Sequence, residues 1–87
     1  MEVDQRKIRQ VEEKSDLVID RPKASQIAKH LAPADRISYI GTDGKYRSGG
    51  FVMKIIDDGD AISLSGGNLK WTLYTQKIQT IFIVKKE

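Results

Sequence analysis

The sequence predicts a mainly β (α+β) domain, a five-stranded SH3-like small barrel with an N-terminal helical segment. Three observations carry that expectation. Apolar and polar residues alternate from Ile37 to Val84, the period of a half-buried strand. Turn-forming clusters break the alternation at Gly41-Thr42-Asp43-Gly44, Asp57-Asp58-Gly59-Asp60 and Gly66-Gly67-Asn68. Before Asp35 the apolar spacing is helical instead. The boundaries that follow are an N-terminal helical or extended arm over residues 1–34 and a small β-barrel over residues 35–87.

In chain order, residues 2–14 are highly charged, with Val3, Ile8 and Val11 as a loose stripe at helical spacing. A helix is expected there, marginal unless docked. Asp16-Leu17-Val18-Ile19-Asp20 is a short apolar run bounded by acids and reads as an extended connector. Pro22 suits a first helical turn. Ala24, Ile27, Ala28 and Leu31 then fall on one face, and Pro33 ends the helix.

The first strand of the barrel carries Ile37 and Tyr39. Asp43-Gly44 supplies the positive φ of a hairpin. The second strand is long, Tyr46 to Ile56, and paired glycines at 49 and 50 imply a bulge or sharp bend. A third strand, Ala61 to Ser65, turns Ile62 and Leu64 inward. A fourth alternates Leu69, Trp71 and Leu73 with Lys70, Thr72 and Tyr74, which places Trp71 in the core. Thr75-Gln76-Lys77 breaks the chain before a last strand, Ile78 to Lys85, expected beside the first. Closure into a barrel would remove free sheet edges.

Eighty-seven residues make one domain, and a chain this short buries only ~60–65% of its unfolded surface. With no cysteine, thiolate metal sites and disulfides are excluded, which favours a reducing intracellular compartment. No apolar run approaches the ~20 residues of a membrane span. The net charge of +3 arises wholly after residue 35: residues 1–35 carry seven Lys/Arg and seven Asp/Glu, residues 36–87 eight and five.

No catalytic, cofactor-binding or metal-ligating residue is assigned. The single histidine, His30, lies on the polar side of its helix without a nucleophile nearby. Asp57, Asp58 and Asp60 lack the distal Glu of a calcium loop and read as turn residues. Neither glycine pair is followed by Lys-Ser/Thr, as a phosphate loop requires. An enzyme is therefore not expected, nor a small-molecule substrate. The remaining candidates form a binding surface: Arg36, Lys45, Tyr46, Arg47, Ser48, Lys54, Lys70 and Tyr74. Cations beside aromatic rings suit a single-strand nucleic-acid binder, with charges on phosphates and rings under bases.

Four stretches carry a family resemblance: Arg36-Ile37-Ser38-Tyr39-Ile40, Asp43 to Phe51 with its Arg-Ser-Gly-Gly-Phe element, Asn68-Leu69-Lys70-Trp71-Thr72-Leu73, and Ile78 to Lys85. Together they resemble a small uncharacterised domain of large nucleocytoplasmic DNA virus proteins. The resemblance covers residues 35–86 and brings no catalytic residues. It implies a viral, virion-associated structural or assembly module with viral or self protein partners, and a virion interior as the alternative to the intracellular compartment. Sequence-nonspecific nucleic-acid binding by the basic and aromatic barrel face is the alternative.

Overall fold

A computed structural model describes Arg9 and residues 13–85. The helix expected over residues 2–14 lies largely outside them. The elements run β1 (Leu17–Asp20), α1 (Ala24–His30), β2 (Arg36–Gly41), β3 (Tyr46–Ile56), a 3-10 turn (Asp57–Gly59), β4 (Ala61–Gly66), β5 (Leu69–Tyr74), a second 3-10 turn (Thr75–Lys77) and β6 (Ile78–Val84).

The class is β-rich as expected, but the strand count and closure are not. One six-stranded antiparallel sheet has the order β1-β6-β2-β3-β4-β5. The stretch read as a connector is the sixth strand: Leu17 to Asp20 pairs with Ile83 to Thr80. An apolar run this short is not enough to distinguish a strand from a linker. What fixes β1 is β6 itself, whose Ile81, Phe82 and Ile83 are almost wholly buried and would otherwise lie on an open edge. The sheet does not close into a five-stranded barrel, because among the described residues β5 pairs only with β4 and β1 only with β6.

The sheet is nevertheless curled. Ile19 of β1 and Leu73 of β5, from opposite ends of the strand order, share one apolar cluster with Ile37, Val52, Ile62, Leu64, Ile81 and Ile83. Each such side chain contributes about 1.5–3 kcal/mol on full burial. Helix α1 adds Ile27, and Leu31 just beyond its end joins too. Of the helical face expected from spacing, Ala24 is half-buried and Ala28 exposed. Seven residues make two turns, so the contact is narrower than a long amphipathic helix would make.

Curling requires a break in β3. The β2–β3 register slips between Ile37 and Ser38, which face Gly50 and Ser48, so Gly49 is the extra residue. Gly50 has φ +108, and a Cβ there would lie 2.5 Å from the Ser65 carbonyl oxygen and 3.2 Å from Trp71 Cη2. Trp71 is packed against the core but only half-buried, and Leu69 is 71% exposed, contrary to the expected inward row. The phase was right, since Leu73 is buried, but β5 runs past the end of the core.

The first 3-10 turn, on which α1 packs, and the end of α1 each carry a polar tie. Thr75 is buried, and its hydroxyl donates to the Gly59 carbonyl while its N–H donates to Asp60. At the other end the Asp35 carboxylate is buried, and Oδ2 accepts from the Ala32 N–H at 3.0 Å and from Lys85 Nζ at 3.1 Å. The same ammonium donates to the His30 carbonyl at the end of α1. A buried carboxylate so paired would be costly to strip of its partner.

Gly59, in the first 3-10 turn, packs closely against the start of α1. It has φ +109, and a Cβ there would overlap the Ala24 carbonyl oxygen, whereas one at Gly67 (φ +59) would meet nothing within 4 Å. Gly59→Ala should therefore cost about 2–5 kcal/mol, backbone strain plus displacement of α1. Gly67→Ala should cost only about 1–2 kcal/mol of backbone strain. Urea unfolding of the two variants measures the gap; equal midpoints would show that α1 is not held at Gly59.

Candidate binding face

Strand register decides which side chains share a face, because directly opposed residues point the same way. Ile37, Val52, Leu64 and Ile83 point to the core. The other face of β2 to β5 is read from the pairs Ile40↔Tyr46, Ser38↔Ser48, Arg36↔Phe51, Phe51↔Ser65, Lys54↔Ser63, Ser65↔Lys70 and Ala61↔Tyr74. Arg36, Tyr46, Ser48, Lys54, Lys70 and Tyr74, all named from the sequence, therefore lie on one outer face.

One cross-strand row is notable for its composition. Arg36, Phe51, Ser65 and Lys70 stand opposite one another on β2, β3, β4 and β5. Neighbouring strands are about 4.8 Å apart, so the two cations flank the ring from backbones about 14 Å apart. Arg36 and Lys70 are exposed and Phe51 is 52% exposed. Serines at 63 and 65 keep the middle strand low between larger side chains on β3 and β5.

A groove of about 600 Å³ opens on this face, lined by Lys14, Arg36, Ser38, Tyr46, Ser48 and Phe51 among others. Tyr46 is half-buried, its ring 6.4 Å from that of Phe82 and tilted by 50°. The aromatic edge of the groove is thus anchored to β6. Lys14 and Phe51 were missed from the sequence. Phe51 was assigned no side because the bulge before it changes the alternation; Lys14 sits in a charged stretch with no period pointing to the sheet.

Lys45 and Arg47 are placed elsewhere. Lys45 sits in the β2–β3 turn, where its N–H donates to Asp43 Oδ1 at 3.0 Å. Arg47 faces Tyr39 on the core side of the sheet. Its guanidinium holds Asp43 through both nitrogens, at 3.1 and 2.8 Å. The turn is completed by Gly44 N–H to the Gly41 carbonyl and Gly41 N–H to Lys45. Arg47 therefore serves the hairpin. The Arg47 hydrogen bond first, and the Lys45 N–H second, hold the Asp43 carboxyl well below the usual carboxylate range.

Comparison with family models, with curated proteins and with solved structures gives no match.

Because the folded Asp43 is depressed, its contribution is present above the unfolded carboxylate pKa of about 3.9 and fades as pH falls through the lower folded value. Both partners are solvent-exposed, so the effect on stability is small. Arg47→Gln should raise the Asp43 titration toward the ordinary carboxylate range, read from carboxyl carbon shifts against pH. An unchanged midpoint would mean that Arg47 is not the cause.

Proposed function

We propose that the protein is a non-enzymatic binding module whose working surface is the outer face of β2 to β5, and that it takes single-stranded nucleic acid without sequence specificity. The observation that carries this reading is the composition of that face. Arg36, Lys54 and Lys70 share it with Phe51, Tyr46 and Tyr74, and no Asp or Glu occurs anywhere in β2 to β5. A polyanion meets cations and stackable rings with no carboxylate interleaved. The fold we read behind it is an SH3-like small barrel. The run β6-β2-β3-β4-β5 and the 3-10 turn before β6 support that, with β1 as an addition to it.

A second reading is the viral, virion-associated structural or assembly module implied by the family resemblance, acting inside the cell or virion. Exposed Phe51, Met53 and Leu69 favour it, because exposed apolar side chains of that size suit a protein partner.

Fluorescence anisotropy with a single-stranded oligonucleotide separates the two. Log affinity should fall with log salt by ~0.7 for each phosphate neutralised. The combined changes Arg36→Gln, Lys54→Gln and Lys70→Gln should weaken binding and flatten that slope by about 2. Phe51→Ala should remove a salt-insensitive part of about 1–3 kcal/mol. Arg47→Gln, on the other side of the sheet, should leave the slope unchanged. Affinity no better than millimolar at physiological salt would sink the nucleic-acid reading and leave the assembly module standing.

A further inference from the structure

The two ends of the sheet are built differently. β1 has four residues and is bounded by Asp16 and Asp20. Short length and flanking charge are how an edge strand is kept from pairing. β5 has six residues, an unbroken register with β4, no proline and one charge, Lys70. Among the described residues no strand pairs its second edge. Leu69 and Tyr74, at the ends of β5, are 71% and 53% exposed.

We propose that β5 pairs antiparallel with β5 of a second copy of this chain, joining the two sheets around a two-fold axis. The proposal concerns a backbone edge and does not depend on what the outer face binds.

The register follows from parity. A two-fold axis perpendicular to the sheet keeps every side chain on its own face, so outer residues must oppose outer residues. Lys70, Thr72 and Tyr74 are outer; Leu69, Trp71 and Leu73 are inner. The axis must therefore pass through a residue, and the two central ones are Trp71 and Thr72. An axis at Trp71 opposes Lys70 to Thr72 and leaves the two Lys70 ammoniums as close diagonal neighbours. An axis at Thr72 opposes Lys70 to Tyr74 on the outer face and Trp71 to Leu73 on the inner face. The first of these sets a cation against an aromatic ring. The second is an aromatic–aliphatic cross-strand pair. The two lysines are then held about 13 Å apart along the strands. Charge complementarity selects the Thr72 axis. With β1 guarded, each copy offers one edge, so pairing closes at two copies rather than extending into a fibre.

The sequence contains no cysteine, so a single exchange introduces a lone thiol. Thr72 is exposed and tolerates it. Opposed residues on antiparallel neighbours have Cα atoms about 4.5–5.5 Å apart, within disulfide reach. Thr72→Cys should oxidise to a disulfide-linked dimer. Lys70→Cys should not, whereas Lys70→Cys combined with Tyr74→Cys should, because those positions face each other across the axis. Sedimentation equilibrium of the unaltered chain should give a dimer by millimolar concentration, and Tyr74→Lys should shift it to monomer. A monomer throughout, or cross-linking of Lys70→Cys as complete as that of Thr72→Cys, would overturn the proposal.

Discussion

β3 has to belong to two halves of one curled sheet. Its first half pairs with β2 and its second with β4, while Val52 and Ile55 must still reach the core that Ile37 and Leu64 occupy. A regular strand of eleven residues cannot do this, since its inward row would run straight past the core. The chain solves it by inserting one residue at Gly49 and bending at Gly50. The bend brings the β3 backbone so near Ser65 that only hydrogen fits, and the Trp71 ring lies against the bare strip left by Gly50 and Gly66. The curl, the seat of Trp71 and the approach of β4 all depend on that absence of side chains.

The same insertion composes the outer face. Before the bulge the outward residues of β3 are Tyr46 and Ser48; after it, Phe51. A second slip between Val52 and Lys54 moves the outward position again, to Lys54 and Ile56. Without the first slip Phe51 would point inward and Val52 outward, and the row of Arg36, Phe51, Ser65 and Lys70 would not exist. One backbone irregularity thus supplies both the shape of the core and the chemistry of the surface. Gly59 packs against Ala24 at the start of α1 and Lys85 bonds the His30 carbonyl at its end, so the helix behind that surface is held at both ends.

These dependencies explain what the sequence disclosed. The turns were legible because Asp-Gly and Gly-Gly have few alternatives, and β3 appeared with its bend because paired glycines inside an apolar run are hard to place otherwise. Membership of the outer face was legible for single residues but not as a row, because two register slips in one strand defeat counting by twos. β1 was hidden for another reason. Its pairing is dictated by β6, whose partner residues lie sixty or more positions away, and nothing in Leu17-Val18-Ile19-Asp20 names that partner. Asp35 was hidden likewise: an acid before a strand reads as solvated, yet its ligands are Ala32 and Lys85.

Where the charges went is the least expected outcome of this arrangement. The chain has nearly as many acids as bases, yet every acid between Arg36 and Val84 sits in a turn, at Asp43, Asp57, Asp58 or Asp60. Turn chemistry accounts for them, since Asp57 and Asp58 adopt positive φ and Asp43 closes its hairpin with its own carboxylate. The bases obey no such rule; lysine and arginine gain nothing from a strand as such. Their presence on the outer faces of β2, β3 and β5 therefore has no explanation in folding, whereas the exclusion of acids from those strands does. A modest net charge of +3 understates the result, because field at a surface depends on which charges share it. Sorting by backbone conformation has separated the two signs, and the face left behind is cationic whether or not solubility required it.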